Sequence, residues 1–242
     1  MKCIYKEKSS ITSTMVGTDR KLSLTGLYTL CQDLGMSGSE LVNWGKKQLL
    51  DKGYLWVMTR SKLVIDHLPE YQDNVTSITY PNKMDRFIFP RQYVVEDENK
   101  QVCFKMVNLF ALIKEDSRKV VLPSTIEGIK FGNDTSLSGE LNIPAPLKEI
   151  PNQFVYEMIV RASDIDLNHH MNNVRYTKAI IDVHDHSWYI SNVIKELQID
   201  YHKEIKEGAV VKIYSSGKIN HTEQIVGKVD DTTTFIAEIV YK

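Results

Sequence analysis

The chain has 242 residues, with 30 Lys and Arg against 31 Asp and Glu for a formal net charge of −1, and it is 42% hydrophobic and 25% charged. That length holds one large or two ordinary globular domains, and the even charge balance gives no reason to expect nucleic acid or an anionic membrane as the main partner. Three cysteines (Cys3, Cys31, Cys103) without CxxC spacing argue against a disulfide framework or a cysteine zinc site. No apolar run reaches the ~18 residues of a membrane span, and the N-terminal M-K-C-I-Y-K-E-K lacks a signal-peptide core, so a cytoplasmic protein is expected.

In chain order, Lys2–Met15 reads as an extended segment, and Gly17-Thr18-Asp19-Arg20 as a turn. Ser23 can cap a helix carrying Leu24, Leu27, Leu30 or Cys31, and Leu34 at helical spacing. Gly35, Gly38 and Gly45 blur where that helix ends. Leu55–Asp66, Asn74–Tyr80, Arg86–Glu96 and Gln101–Lys114 then follow, rich in β-branched and aromatic residues and separated by turn formers. The last of these is apolar on both faces and reads as a central strand. One helix followed by antiparallel-type strands is an α+β pattern. Lys130–Pro151, with its Asn, Ser and Pro residues, reads as a boundary between cores.

The second half repeats the first, with a strand over Phe154–Arg161, a loop, a helix over 173–190, and strands near Ile194–Tyr201, Ala209–Ile219, Glu223–Lys228 and Thr234–Tyr241. Ser61–Asp66 aligns with Lys195–Asp200 at an offset of 134, placing Glu70 opposite Glu204. Asp19 aligns with Asp166 at an offset of 147, placing Ser23 opposite His170. A repeat of this size points to duplicated domains. Only the second copy has an acid, amide and imidazole set, so one copy could carry catalysis and the other could bind.

That set lies in Ser163–Tyr176, S-D-I-D-L-N-H-H-M-N-N-V-R-Y. Asn- and Asp-rich stretches are ordinarily turns. Read as an extended segment, however, Asp166, Asn168 and His170 fall on one face, with Leu167 and His169 on the other. Asn172 or Asn173 can cap the following helix, whose first N–H groups add donors and a positive dipole. A metal hydrolase built on His169, His170, His184, Asp185 and His186 is a weaker reading, because no HExxH is present and adjacent histidines cannot easily share an ion.

Three segments resemble the plant and bacterial acyl-[acyl-carrier-protein] thioesterases: Asp164–Tyr176, similar to D-x-D-x-N-x-H-x-N-N-x-x-Y; Leu55-Trp-Val-Met-Thr-Arg60; and Tyr201-His-Lys-Glu204. The resemblance implies two tandem hotdog domains, each a long helix wrapped by an antiparallel sheet. The expected division is residues 1–132 as an acyl-binding N-terminal domain, 133–150 as linker and 151–242 as the catalytic domain. It implies hydrolysis of the thioester of a fatty acyl-phosphopantetheine on acyl carrier protein, with no cofactor and no metal. Its site residues fall on Asp166, Asn168, His170 and Glu204. Many members carry Cys directly after that Glu; Ile205 here argues against a cysteine acyl-enzyme.

Mechanistically, Asp166 is expected as nucleophile or base, His170 and Asn168 as orienting groups, Glu204 as the holder of water, and the N–H groups of Asn172–Val174 as oxyanion donors. By the repeat, the acyl chain falls mainly in the first half, with Leu27, Leu30, Leu34, Trp56 and Met58 as substrate-binding residues, although all five also suit a packed core. Arg175, Lys178 and Lys203 are expected to dock the acidic carrier. Membrane insertion and nucleic-acid binding are not expected, and a further homodimer stays open. An acyl-coenzyme A thioesterase, a non-catalytic acyl-binding hotdog module and a hydratase remain as alternatives.

Overall fold

The computed structural model describes residues 4–122 and 140–242, and part of the expected linker lies outside them. The chain divides into two compact units, Met1–Pro144 and Ala145–Lys242.

In the first unit, β1 (Tyr5–Ser10) leads through a 3-10 turn (Ser13–Met15) to α1 (Leu24–Glu40) and the short α2 (Lys46–Leu50). Strands β2 (Tyr54–Ile65), β3 (Asn74–Pro81), β4 (Ile88–Glu96) and β5 (Val102–Lys114) follow. Neighbours are antiparallel, in the order β1-β3-β4-β5-β2. The apolar β5 is interior, as its two-sided pattern requires. The Ser23 side chain accepts from the Gly26 N–H at 3.0 Å, capping α1 where the sequence predicts. Leu27, Tyr28, Cys31 and Leu34 form its buried stripe. The sheet has one charged edge, because β1 exposes Lys6, Glu7 and Lys8, a pattern that discourages pairing with another chain.

The second unit has β6 (Gln153–Ile159), a 3-10 turn (Ala162–Asp164), α3 (Asn173–Ile181), α4 (His186–Ser191), β7 (Ile194–Tyr201), β8 (Val210–Ser215), β9 (Thr222–Val229) and β10 (Thr232–Tyr241). Its antiparallel order is β7-β10-β9-β8-β6. The helix expected over 173–190 is in fact two helices. The Tyr156 and Tyr189 hydroxyls donate to the last α3 carbonyls, Ala179 and Ile181, at 2.8 and 3.0 Å, and the Asp185 carboxylate starts α4 by accepting from the Trp188 N–H at 3.0 Å. Local capping by Asp185 thus wins over continued apolar periodicity.

The described part of the connecting segment is extended and fastened by side chains. In the first unit Gln92 exchanges two hydrogen bonds with the Leu141 backbone, at 2.8 and 3.2 Å. In the second, Gln198 holds the Ala145 carbonyl, Asp200 the Leu147 N–H, and Gln224 both the Lys148 carbonyl and the Ile150 N–H. All four of these side chains are buried, so the segment's backbone groups satisfy polar atoms that would otherwise be costly.

The two units repeat one another at the level of individual hydrogen bonds, and those bonds correct the register read from sequence. The bridge Val16–Leu22 recurs as Ile165–Met171, an offset of 149. The bond from the Leu22 N–H to the Pro69 carbonyl recurs from Met171 to Ile205, an offset of 136 for the later segment. Both sequence alignments are therefore short by two. Gly17, not Asp19, stands opposite Asp166; Lys21, not Ser23, opposite His170; and Leu68, not Glu70, opposite Glu204. A slip of two preserves which face each strand residue presents, so alternation could not reveal it.

Candidate active site

The stretch 163–176 is not an extended segment. It is a tight hairpin that turns at Leu167–His169 and closes by a donation from the Asp166 N–H to the His170 carbonyl at 3.0 Å and from the His169 N–H to the Asp166 carbonyl at 3.1 Å. His169 takes a positive φ of 63°, in the left-handed region that closes such a turn. The Asp166 Oδ1 accepts from the Asn168 N–H at 2.7 Å, the local bond that makes Asp a turn former.

This geometry brings Asp166 and His170 together as the two arms of the turn. The His170 Nδ1 lies 3.9 Å from Asp166 Oδ1, and its Nε2 lies 3.7 Å from Glu204 Oε1. The imidazole thus stands between two carboxylates, each at a spacing that one water could bridge. The three side chains are 17%, 18% and 33% exposed for His170, Asp166 and Glu204 respectively. Glu204 is fixed beside the hairpin because the next residue, Ile205, is buried and accepts from the Met171 N–H at 2.7 Å. Asn168 sits at the exposed corner of the turn, joined to the others through its backbone.

Below the hairpin the Tyr176 ring packs edge-on against Tyr201 and Phe235, with centroids 5.0 and 5.2 Å away. Burial holds its hydroxyl well above the ordinary tyrosine range, so it stays protonated under the site.

Of the three N–H groups expected to hold an oxyanion, two are committed: Asn172 donates to the Asp164 carbonyl at 2.8 Å, and Val174 to the Asn172 side chain at 2.9 Å. The N–H of Asn173, at the first position of α3, has no such partner among the described residues. Asp164 acts as a local organiser: it accepts from the Arg161 N–H at 2.9 Å and lies 3.7 Å from Arg175 Nε. Arg175 also donates to the Ser163 carbonyl at 3.1 Å, while Lys178 and Lys203 are exposed.

His184, a ligand in the weaker metal-hydrolase reading, is held in a network of its own. His184 bonds to the wholly buried Glu223 at 2.8 Å and stacks on Trp188 at 4.1 Å. Glu223 also accepts from Ser215 and Tyr241. Sequence reading missed this network; its one sign is an acidic residue on the inward face of a strand otherwise filled by Ile225 and Gly227.

Neither described cysteine is placed for nucleophilic attack. Cys31 and Cys103 are free and buried, and burial pushes the Cys31 thiol far up and that of Cys103 up to about 12. In the first unit Leu27 and Leu34 are packed core, whereas Leu30, Trp56 and Met58 are half-buried. Trp56 meets Phe89 and Phe110 edge-on, at 4.9 and 6.2 Å.

Among the described residues no helix is long and apolar enough to cross a membrane. Solved structures with the same fold include an acyl-ACP thioesterase from Bacteroides thetaiotaomicron (TM-score 0.90, 19% identity, 99% of this chain and 98% of that one) and the 12:0-ACP thioesterase from Umbellularia californica (0.87, 17%, 99% and 97%). The units are accordingly two hotdog domains in tandem within an α+β chain. In sequence, the chain is 21% identical over 236 residues to a chloroplastic palmitoyl-acyl carrier protein thioesterase of Gossypium hirsutum, covering 92% of this chain and 57% of that protein. It is 22% identical over 224 residues to an oleoyl-acyl carrier protein thioesterase of Arabidopsis thaliana, covering 86% and 62%. The chain therefore spans little more than half the length of these relatives. The acyl-ACP thioesterase N-terminal domain model matches residues 2–125 and the C-terminal domain model residues 147–237. With both models matched in order along its length, this chain belongs to the acyl-ACP thioesterase family.

Proposed function

We propose that the chain hydrolyses fatty acyl-acyl-carrier-protein thioesters to free fatty acid and carrier thiol, using Asp166, Asn168, His170 and Glu204. The observation that carries this reading is the His170 imidazole standing between Asp166 and Glu204, on a hairpin that ends at the N-terminus of α3. Asp166 already accepts the Asn168 N–H and faces the imidazole, which favours an orienting role over direct attack. Water is then the nucleophile. Its oxygen bonds to the thioester carbonyl carbon while Glu204 takes its proton, and the oxyanion is met by the Asn173 N–H at the helix end. The tetrahedral species collapses with cleavage of the C–S bond; His170, held by Asp166, supplies the proton that leaves with the sulfur and regains one from the adjacent Glu204, so both groups return to their starting state. Asn168 fixes the corner that keeps Asp166 and His170 side by side.

The first domain, residues 1–132 in this reading, takes the acyl chain, with half-buried Trp56 and Met58 as lining and Leu27, Leu30 and Leu34 holding α1 over the sheet. Residues 133–150 link it to the catalytic domain, 151–242. Exposed Lys178 and Lys203 offer the positive charge an acidic carrier protein needs. The two free buried cysteines fit a reducing compartment such as the cytoplasm.

Thiol release from a series of acyl-carrier and acyl-coenzyme A thioesters, with wild type beside Asp166→Asn, tests the reading. Release from acyl carriers that is lost in the variant is the expected result. Release from coenzyme A esters alone would transfer the chemistry to another substrate. No release from either, with fatty acid still bound, would make the chain a binding module.

A further inference from the structure

Across the α1-facing side of the first unit's sheet runs one row of polar residues. Ser61 on β2 stands directly opposite Asn108 on β5, and Asn108 directly opposite Arg91 on β4. All three are buried, at 0%, 3% and 8% exposure. The flanking rows are apolar or aromatic: Leu63, Met106 and Tyr93 on one side, Met58, Phe110 and Phe89 on the other.

α1 is clamped onto this row. The Tyr28 hydroxyl lies 3.0 Å from the Ser61 hydroxyl, and Arg91 donates to the Ser39 side chain at 3.1 Å. Two glycines allow the close approach. A Cβ at Gly35 would collide with the Tyr93 hydroxyl, and one at Gly38 would lie 2.9 Å from an Arg91 nitrogen. Burial changes across the row. Leu63, Met106 and Tyr93 are at most 1% exposed; on the other side Phe89 is buried at 7%, whereas Met58 and Phe110, and Trp56 one row further out, are half-buried. One polar atom of the row, Asn108 Oδ1, is buried with no hydrogen-bond partner among the described residues. A polar group or water could still satisfy that acceptor, whereas a hydrocarbon laid against it could not.

We propose that the Ser61–Asn108–Arg91 row, closed from above by Gly35 and Gly38 of α1, is the end wall of the acyl slot and sets the longest chain the protein accepts. The chain lies on the half-buried aromatic side, over Trp56, Met58 and Phe110, and its terminal methyl stops at the row. Methylenes beyond that point would have to displace a clamped helix, breaking the Tyr28–Ser61 and Arg91–Ser39 bonds, and would lie against an acceptor they cannot satisfy, so longer chains are excluded by both shape and lost hydrogen bonding. This inference rests on the assignment of the acyl chain to the first domain.

The test is a chain-length series read in two ways: hydrolysis of saturated acyl-carrier thioesters, and direct binding of the free fatty acids by calorimetry. Wild type is compared with Asn108→Leu, which keeps side-chain size and removes the polar atoms, and with Arg91→Met, with melting curves confirming that both fold. The expected result is a gain of about 10-fold in kcat/KM, and in affinity, for chains longer than the wild-type optimum relative to the optimum chain itself. Unchanged length profiles in both folded variants would overturn the wall. Binding profiles that shift in a wild type and variants that hydrolyse nothing would keep the wall and remove the hydrolase reading. Fatty acids neither bound nor released would remove both.

Discussion

The hairpin at 17–23 and the hairpin at 166–172 share one backbone and differ in nearly all their chemistry. Each closes with the same pair of bonds, from Gly17 to Lys21 and Arg20 to Gly17 in the first, and from Asp166 to His170 and His169 to Asp166 in the second. Each has one residue at positive φ in the matching place, Arg20 at 67° and His169 at 63°. Each ends in a helix cap, Ser23 or Asn172, whose N–H donates to the preceding 3-10 turn. Yet Gly17, Asp19, Lys21 and Leu68 occupy the places of Asp166, Asn168, His170 and Glu204. The fold therefore does not require the polar set, since the first hairpin forms without it. What Asp166, His170 and Glu204 contribute is available for chemistry.

The largest effect should come from removing that difference. His170→Ala is expected to lower kcat about 1000-fold, and Asp166→Asn about 100-fold, with melting temperatures close to wild type. Retained turnover in either would show that the second hairpin is as structural as the first.

Gly26 gives the next contrast. A Cβ there would collide with the Met15 carbonyl oxygen, whereas the matching position on α3 is Arg175, whose side chain reaches Ser163 and Asp164. Gly26→Ala should cost about 2 kcal/mol in urea denaturation, and Arg175→Ala about 0.5 kcal/mol. Equal costs would mean that the two helices seat alike.

The caps should differ less. Asn172→Ala is expected to cost about 1 kcal/mol. Ser23→Ala should cost somewhat more, because the Ser23 hydroxyl also donates to the Met15 carbonyl at 2.9 Å. The reverse order would assign the tighter cap to the second hairpin. Smallest of all, Lys21→Ala should leave turnover within about twofold of wild type, since the lysine at the place of His170 is exposed and lacks an imidazole's capacity to exchange a proton near neutrality. A larger loss would bring the first hairpin into the reaction.

Much of the fold was legible before any coordinates. The Ser23 cap, the turn at Gly17–Arg20 and the two-sided β5 each depend on neighbours a few residues away, and local chemistry sufficed for them. The resemblance to a family pattern nominated Asp166, Asn168, His170 and Glu204 as candidates, and the side chains of Asp166, His170 and Glu204 do stand together. Alternation along an extended strand does not describe the loop. His170 meets Asp166 because the chain doubles back between them, and Glu204 arrives because the Ile205 carbonyl bonds to Met171. The break between α3 and α4 was missed because Asp185 reads as one more polar helix residue until Tyr156 and Tyr189 are seen ending α3.

The sequence by itself determined the succession of strands, the doubling of the chain and the family, since period, caps and short motifs are properties of neighbours. Only the tertiary structure decided the register of the repeat, which two carboxylates face the imidazole, and which N–H remains open at the helix start. It alone placed Ser61, Asn108 and Arg91 in one buried row. These depend on pairings between residues tens of positions apart, and a strand's period of two leaves every even slip equally plausible until the hydrogen bonds choose one.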